Sequence, residues 1–567
     1  MYSNAVKPFH EILCNAGDAF GTLDFMCTKQ TDGVRTDSVR ADGIYESRTY
    51  AQAVTDIEAL AKYLIRSGYK DKNILLYAEN SYGWAVIDHA VMTYVGVSVT
   101  ANKDWLLNDL VNVLDAIDIA AVFYPGDNNP GAADLGDSDF DSTDSDSIHH
   151  TDIGTLKSRY PQTDFFSIRD DLPDMLAAGA DLGSAQIDLS QNVKTLDQIA
   201  KIVFSSGTTA NPKAICLSQR NMLAGLEDHM ARIPVGAGDR DYLFLPMNYT
   251  FAGVVNVTYA FVRGWTIYLN ENTADIMSDF QIVKPTVLCC VPSVLEKVYH
   301  AISEEDMKKI TKFIKISNTL LACKIDVRRS LFKKLHAVFG GELIYLAVGG
   351  AAFDRKVKKF FRDIGIKIVE AYALTETSSA LSDDFQNDPI DSVGTIFDCC
   401  EVQIAAPDAQ GVGEICVRGD NVFLGYYTKT GLLRDCIDED GWFRTGDLGK
   451  LEGPHLYFSG RKKRMIVFSN GQNVFPDELE ALLNEIDGVA DAQVYEQGSR
   501  LHAIVFVDAT PTRGASISEP PTRVDQFDAD EPQEYFAEQI HALNETLPRY
   551  KQISSYEIRI GDKNFKS

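Results

Sequence analysis

The first 125 residues alternate helical and strand-like hydrophobic patterns. Residues 51–67 repeat apolar side chains at the spacing of an amphipathic helix, whereas residues 73–77 and 120–124 are short, continuous apolar runs. Short apolar runs separated by helices are typical of strands in a sheet that helices cover. The pattern therefore predicts an α/β fold with a buried sheet.

The pattern changes after residue 460. Upstream, residues 239–292 again alternate apolar strands with turns, and residues 411–447 combine β-formers with glycines. We expect a large N-terminal domain over residues 1–460, with β-sheets flanked by helices, and a small, mobile α+β domain over residues 461–567. The elements predicted in the small domain are a strand at 465–469, a helix at 476–484, strands near Ala492 and Ala503, and a helix at 538–547 that ends before Pro548.

Two stretches are too polar to be buried. Residues 126–152 are rich in Asp, Ser, Gly and Asn, and residues 511–534 form a second acidic stretch. Both are predicted to be surface loops.

Composition narrows the function classes. The chain has 54 Lys and Arg against 81 Asp and Glu, a formal net charge of −27. That charge opposes binding to nucleic acid and to anionic lipid head groups. The composition therefore favours a small-molecule substrate over either of these partners. The ten cysteines contain no Cys-x-x-Cys pair, most lie in apolar runs, and they are expected to be reduced core thiols of a cytoplasmic protein. Neither a signal peptide nor a transmembrane segment is predicted.

A candidate phosphate-binding loop lies between two apolar strands at residues 202–217. Its donors are Ser205, Ser206, Gly207, Thr208, Thr209 and Lys213. Hydroxyl and backbone N–H groups can surround phosphate oxygens while the lysine supplies positive charge. The loop is not followed directly by a helix, so it is not a Walker A motif. By itself it is also compatible with a hydroxyl-rich hairpin that binds nothing.

Four further segments follow in a fixed order. They read Ala-Val-Gly-Gly-Ala-Ala at 347–352, Glu-Ala-Tyr-Ala-Leu-Thr-Glu-Thr at 370–377, Gly-Trp-Phe-Arg-Thr-Gly-Asp-Leu-Gly at 441–449, and Gly-Arg-Lys-Lys-Arg at 460–464. Together with the phosphate loop they resemble the adenylate-forming superfamily of acyl-CoA synthetases, luciferases and peptide-synthetase adenylation domains. The resemblance extends over about residues 10–560.

The resemblance implies a role for individual side chains. Gly349 and Gly350 would line the adenine and acyl pocket, and Tyr372 would stack on adenine. Thr375 would contact the α-phosphate, and Glu376 would bind Mg²⁺. Asp447 and Arg461 would contact the ribose, and Lys463 would be the hinge between the domains. The segment Leu-Pro-Met-Asn-Tyr-Thr-Phe at 245–251 is similar to an acyl-site segment of the family, so Tyr249 and Phe251 are assigned to the acyl pocket, although an aromatic residue there is equally compatible with core packing.

The implied activity uses ATP, Mg²⁺ and coenzyme A. A carboxylic acid would be converted to an acyl-adenylate and then to a coenzyme A thioester. The phrase Ser-Asn-Gly-Gln-Asn-Val-Phe-Pro at 469–476 is most similar to the long-chain branch, so a medium- or long-chain fatty acid is expected.

Several positions depart from the family pattern. Ala210, Ala214 and Ala373 stand where glycine is usual, and Arg464 stands where Asp or Asn is commoner. Three readings stay open for the family's C-terminal catalytic lysine: Lys566, which we assign, has the role, Lys563 has it, or the residue is absent and adenylation is slow. Two alternatives to a coenzyme A ligase stay open. One is an enzyme that adenylates the acid and loads an acyl carrier protein; the other, suggested by the three alanines and the uncertain C-terminal lysine, is a non-catalytic nucleotide-binding homologue.

Overall fold

The structure is a computed structural model. It describes residues 7–29, 44–103, 105, 107–126, 153–183, 186–204, 213–270, 275–378, 382–383, 388–464, 466–467, 473–474, 476–484, 486, 488–497, 500–507, 531–547 and 551–560. The predicted surface loop at 126–152 lies outside these residues apart from Gly126, as does most of the predicted loop at 511–534.

Seventeen α-helices occur in the described residues. In chain order they are α1 (Phe9–Phe20), α2 (Tyr50–Arg66), α3 (Tyr82–Ala90), α4 (Leu107–Ala116), α5 (Ile153–Arg159), α6 (Leu172–Ala180), α7 (Gln219–Leu223), α8 (Leu226–Arg232), α9 (Tyr259–Arg263), α10 (Ile276–Val283), α11 (Pro292–His300), α12 (Glu304–Ala322), α13 (Arg328–Leu331), α14 (Lys333–Val338), α15 (Arg355–Asp363), α16 (Pro476–Asn484) and α17 (Glu531–Thr546).

Twenty-six strands accompany them in the same described ranges. They are β1 (Asp24–Lys29), β2 (Tyr45–Thr49), β3 (Asn73–Leu76), β4 (Val97–Thr100), β5 (Ile119–Tyr124), β6 (Asp164–Ser167), β7 (Ile199–Phe204), β8 (Ala214–Ser218), β9 (Arg240–Leu243), β10 (Thr266–Leu269), β11 (Val287–Cys290), β12 (Tyr345–Gly349), β13 (Lys367–Tyr372), β14 (Ser382–Asp383), β15 (Gly394–Ile396), β16 (Cys400–Ala405), β17 (Gly413–Gly419), β18 (Gly425–Thr428), β19 (Gly431–Leu433), β20 (Phe443–Glu452), β21 (His455–Arg461), β22 (Ile466–Val467), β23 (Asn473–Val474), β24 (Val489–Gln497), β25 (Arg500–Val507) and β26 (Ile553–Ile560).

Two large sheets position the candidate site. The first has eight strands in the order β19-β18-β8-β7-β4-β3-β5-β6, parallel from β7 to β6 and antiparallel from β19 to β7. The second has thirteen strands in the order β16-β17-β20-β21-β15-β14-β13-β12-β11-β9-β10-β1-β2. Its strands β9 to β13, together with β1, are mutually parallel. The carboxyl ends of β12 and β13 therefore meet at one edge.

The main hydrophobic core brings both sheets together with α1, α2 and α3. The buried side of α2 includes Ala53, Ile57, Leu60 and Leu64, which repeat at helical spacing as the sequence predicts. Its first turn has a capping box in which Thr49 and Gln52 satisfy each other's backbone N–H groups.

A smaller unit follows β21. Strands β24, β25 and β26 form a three-stranded sheet, and its core contains side chains from α16 and α17, among them Leu479, Leu483 and Ile540. The predicted α/β class, with a smaller α+β part toward the C-terminus, is confirmed. The boundary at residue 460 and the mobility of the small domain stay predictions.

The last helix begins earlier than predicted. The sequence analysis placed residues 531–534 in a polar loop, but α17 starts at Glu531. The reason is that Pro532 falls in the first helical turn, where the missing N–H costs no hydrogen bond, so a proline there does not interrupt the helix.

All ten cysteines carry free thiols, and six of them are buried as expected for core thiols. Cys14 and Cys323 are exposed, which corrects the expectation for these two residues. In the part of the chain that the structure describes, no helix has the length and apolar character needed to cross a membrane.

A buried ion pair fixes the strand that leads into the phosphate loop. Lys201 of β7 lies 2.7 Å from Asp88 of α3, and the two side chains are 2% and 0% exposed. The second Asp88 oxygen accepts a hydrogen bond from the Ser98 hydroxyl at 2.5 Å, and the Lys201 ammonium lies 4.9 Å from the Trp84 ring centroid. Each charge is therefore paired, as burial requires.

Asp88→Asn should destabilise the fold strongly, because it leaves the Lys201 ammonium buried without a counter-charge. We expect the free energy of unfolding, measured by urea denaturation with circular dichroism, to fall by about 3 to 5 kcal/mol. Asp115→Asn is the matched control, since Asp115 pairs with Arg159 on the surface and should have no measurable effect. Equal losses in the two variants would contradict the assignment.

Candidate active site

Strand β13 carries Tyr372 to the edge where the parallel strands end. Glu370 of the same strand is buried, and its carboxylate lies 2.6 Å from the ammonium of Lys358 in α15. From this anchored strand the Tyr372 hydroxyl donates a 2.7 Å hydrogen bond to the carboxylate of Asp447. Two segments 75 residues apart in sequence therefore meet side chain to side chain.

Asp447 comes from the antiparallel pair β20 and β21. It is 4% exposed and lies directly across the pair from Arg461, whose Nε is 3.6 Å from its other oxygen. Burial raises the pKa of Asp447, while the Tyr372 hydrogen bond and the Arg461 charge oppose that rise; Glu376 and Asp477 add to it. The carboxylate thus has one partner on each oxygen and lies near two further acidic groups.

Glu376 lies in the short 3₁₀ helix Thr375–Thr377, immediately after β13. Its carboxylate accepts a 3.0 Å hydrogen bond from the Tyr426 hydroxyl, and its backbone carbonyl accepts one from the Phe423 N–H at 2.8 Å. Burial, followed by the negative charge of Glu376, raises the pKa of Tyr426, so this hydroxyl remains a donor.

Lys213 reaches the same cluster from the eight-stranded sheet. It directly precedes β8, which pairs with β18, and its ammonium lies 4.4 Å from the centroid of the Tyr426 ring. This is a cation–π distance. One tyrosine therefore links the lysine of the predicted phosphate loop to the glutamate of the predicted Mg²⁺ site.

Gly349 is the last residue of β12, and Gly350 follows it. A Cβ on Gly349 would lie 3.2 Å from the carbonyl oxygen of Ala371 and 3.8 Å from the Phe251 ring, and Gly350 has φ +87°. A side chain would crowd the first position and strain the second. The pair brings the backbone close to the end of β13, beside Tyr372.

The two predicted acyl-pocket aromatics differ in their surroundings. Phe251 begins the π-helix Phe251–Thr258, is half-buried and lies near Gly349. Tyr249 accepts a 3.2 Å hydrogen bond from the Asn102 side-chain amide, close to the end of β4. Phe251 lies next to the glycine turn. Both acyl-pocket assignments stay predictions.

Some predicted residues cannot be placed. Ser205, Ser206, Gly207, Thr208, Thr209 and Lys566 lie outside the described residues, as does Lys563. Lys463 lies in the 3₁₀ turn Lys462–Arg464 that follows β21. Thr375 opens the 3₁₀ helix that carries Glu376.

Arg464, the departure from the family pattern at the predicted hinge, is held by two acidic residues. Its guanidinium pairs with Asp477 and Glu480 of α16, and these partners raise the pKa of Arg464. Asp477 also accepts a 3.1 Å hydrogen bond from the backbone N–H of Arg461. A basic residue is accommodated here because α16 presents two carboxylates to it.

The Glu376 carboxylate is suited to hold a magnesium ion together with nucleotide phosphates. Among the residues that the structure describes, no group of three or more His, Cys, Asp and Glu could hold a metal ion by itself. Glu376 uses its Oε1 to accept from Tyr426 and has further lone pairs for a cation. Mg²⁺ beside nucleotides is commonly held by one or two carboxylates together with substrate phosphates, which suits a single glutamate near Lys213.

Sequence reasoning missed Tyr426 as a site residue. Its position in a glycine-bounded β-rich stretch marks it only as a strand residue, and its partner Glu376 lies 50 residues away. A tyrosine in a strand that is expected to be buried is the signal that could have identified it. Its hydroxyl needs a hydrogen-bond partner, which indicates a polar group nearby.

Comparisons with known proteins identify the family of this chain. Residues 29–427 match the family described as AMP-binding enzyme. The chain belongs to this family. The resemblance to adenylate-forming enzymes predicted from the motifs is therefore confirmed.

Curated relatives of this AMP-binding enzyme cover most of its length. The long-chain-fatty-acid–CoA ligase FadD15 of Mycobacterium bovis is 28% identical over 506 residues, which are 84% of this chain and 78% of the relative. The peroxisomal long chain acyl-CoA synthetase 7 of Arabidopsis thaliana is 27% identical over 521 residues, covering 85% and 72% of the two chains.

Solved structures share its fold. ATP-bound MatB from Rhodopseudomonas palustris superposes with a TM-score of 0.70 at 19% identity, covering 99% of this chain and 97% of that one. O-succinylbenzoate coenzyme A synthetase from Bacillus subtilis, in complex with ATP and magnesium, gives a TM-score of 0.67 at 17% identity, with 97% and 96% covered. These likenesses establish the architecture.

Tyr426→Phe should weaken the AMP-binding enzyme's predicted metal site, because it removes the hydrogen bond that holds Glu376 while keeping the ring beside Lys213. We expect ATP–pyrophosphate exchange to fall about 10-fold, with a higher Mg²⁺ concentration for half-maximal rate. Tyr427→Phe is the control, since the next residue of β18 points to the opposite face. If the two variants behave alike, Tyr426 does not position Glu376.

Proposed function

We propose that this AMP-binding enzyme uses ATP to activate a medium- or long-chain fatty acid and transfers the acyl group to coenzyme A. The observation that carries the proposal is the meeting of Tyr372, Asp447 and Arg461 within hydrogen-bond or ion-pair distance, at the edge where the parallel strands end. The names of the curated relatives support the choice of a fatty acid and of coenzyme A.

The nucleoside would bind around Asp447. An ionised carboxylate has about four lone-pair positions, so two ribose hydroxyls can donate to it in addition to Tyr372. The Tyr372 ring lies 5.8 Å from that of Phe458, and the glycine turn at Gly349 leaves backbone rather than a side chain beside it. An adenine could therefore stack at this edge.

The phosphates would extend toward Glu376 and Lys213. The predicted phosphate loop follows β7 and ends at Lys213, so both of its ends are anchored in the eight-stranded sheet. Lys213 would neutralise phosphate charge, and Glu376 would hold Mg²⁺, which supplies further charge neutralisation when bound. Positioning and electrostatic stabilisation would account for most of the catalysis.

The chemistry takes place in two displacements. A fatty-acid carboxylate oxygen forms a bond to the α-phosphorus of ATP while the bond to the pyrophosphate oxygen breaks. The resulting acyl-adenylate is a mixed anhydride, and the thiolate of coenzyme A then attacks its acyl carbon and displaces AMP. Thr375 would contact the α-phosphate, and Lys566 would neutralise charge on the reacting groups in the first step.

Pyrophosphate release tests the reaction and its substrate class. The enzyme is incubated with ATP, Mg²⁺ and either acetate, benzoate, octanoate or palmitate, with and without coenzyme A. Release that is greatest with a fatty acid and yields acyl-CoA supports the proposal. Acyl transfer to an acyl carrier protein, with free coenzyme A a poor acceptor, would identify the carrier-loading alternative, and ATP binding without any release would identify a non-catalytic homologue.

Asp447→Ala should raise the KM for ATP, because the ribose loses its acceptors and Tyr372 loses its partner. We expect kcat/KM for ATP to fall about 100-fold in the exchange assay. Asp440→Ala, which removes an exposed carboxylate from the turn before β20, should leave kcat/KM unchanged. A normal KM for ATP in Asp447→Ala would refute the ribose assignment.

Lys463→Ala should separate the two displacements if this residue is the hinge. Adenylation, followed by ATP–pyrophosphate exchange, should be reduced less than thioester formation. Lys462→Ala is the matched control, since the neighbouring ammonium pairs with Glu414 at 2.8 Å and belongs to the turn in the same way. Equal reduction of both displacements by Lys463→Ala would contradict the hinge role.

A further inference from the structure

One surface segment has the opposite charge to the rest of the chain. Residues 307–341, here called the basic segment, contain nine Lys and Arg and a single acidic residue, Asp326, a local net charge of +8 in a chain of net charge −27. Glu304, Glu305, Asp306 and Glu342 flank the segment, so residues 304–342 together carry +4. The segment covers most of α12 and all of α13 and α14. None of its residues belongs to the candidate active site.

Helix α12 has two different faces. Met307, Ile310 and Ile314 pack against a hydrophobic core cluster. On the other side Phe313 and Ile316 are 47% and 53% exposed. Lys309 and Lys312 fall on the same outer face, because residues 309, 312, 313 and 316 are spaced three or four apart.

The exposed apolar surface continues beyond α12, and lysines surround it. Ile325 and Leu331 are 52% and 38% exposed. Within the described residues, six exposed lysines of the segment have no ion-pair partner: Lys308, Lys312, Lys315, Lys324, Lys333 and Lys334. Their charge is available to an external anionic surface.

We propose that the basic segment docks the enzyme on an anionic phospholipid surface. The lysines contact the head groups, and Phe313 and Ile316 insert at the boundary with the acyl chains. Basic residues around exposed aromatic and aliphatic side chains are the composition of interfacial helices. Two net-positive segments would repel each other and protein interfaces are depleted in lysine, so a second copy is a poor occupant.

The docking would matter for the proposed function, although it does not depend on it. A fatty acid partitions into membranes through its apolar chain. An enzyme held at that surface would meet its acyl substrate there and its nucleotide from solution.

Vesicle co-sedimentation of the full chain tests the proposal. We expect at least tenfold tighter binding to phosphatidylcholine vesicles that contain phosphatidylserine than to phosphatidylcholine alone, weakening as salt is added. Lys312→Glu with Lys315→Glu should reduce binding to the anionic vesicles at least tenfold. Phe313→Ser with Ile316→Ser should reduce it severalfold.

Two controls keep the outcome interpretable. Lys70→Glu with Lys72→Glu reverses two exposed lysines outside the segment and should leave vesicle binding unchanged. Pyrophosphate release with octanoate, a soluble substrate, should be unchanged in every variant, so a failure of the proposed function is separable from a failure of docking. Equal binding to both vesicle types, an equal loss in the control variant, or self-association that the Phe313→Ser and Ile316→Ser variant abolishes without any vesicle binding would overturn the proposal.

Discussion

A buried carboxylate that needs partners organises the candidate site. Asp447 is almost inaccessible, and an ion of this kind is tolerated only where hydrogen bonds and charges compensate for lost water. Tyr372 and Arg461 supply that compensation from two strands that are distant in sequence. Burial of the Asp447 carboxylate therefore depends on two features of the sheet. The pairing of β20 with β21 brings Arg461 to it, and the position of β13 brings Tyr372 to it.

The site depends on both large sheets. The thirteen-stranded sheet supplies Tyr372, Asp447 and, through the turn after β13, Glu376, whereas the eight-stranded sheet supplies Lys213 and Tyr426. One hydrophobic core contains side chains of both sheets and so fixes the site residues of one sheet relative to those of the other. The Lys201–Asp88 pair contributes on the eight-stranded side, because it fixes the strand that enters the predicted phosphate loop.

Local patterns predicted the elements well, and side-chain partnerships poorly. The apolar pattern predicted α2, β3 and β5 because burial in the core determines which of their side chains are apolar. The motif order singled out Tyr372, Glu376 and Asp447, whose roles in binding stay predictions. The Tyr426–Glu376 hydrogen bond and the pairing of Arg464 with α16 were not predictable, because each joins residues whose proximity only the tertiary fold creates.

Net charge is a poor guide to what a surface binds when positive charge is concentrated. At physiological ionic strength the Debye length is about 8 Å, so an anionic surface in contact with the basic segment interacts mainly with charges of that segment. Acidic residues on other faces of the protein are largely screened from it. The value of −27 argues against wrapping nucleic acid around the whole molecule, which needs positive charge over a large area. It does not argue against a local contact through α12, where lysines and exposed apolar side chains share one face.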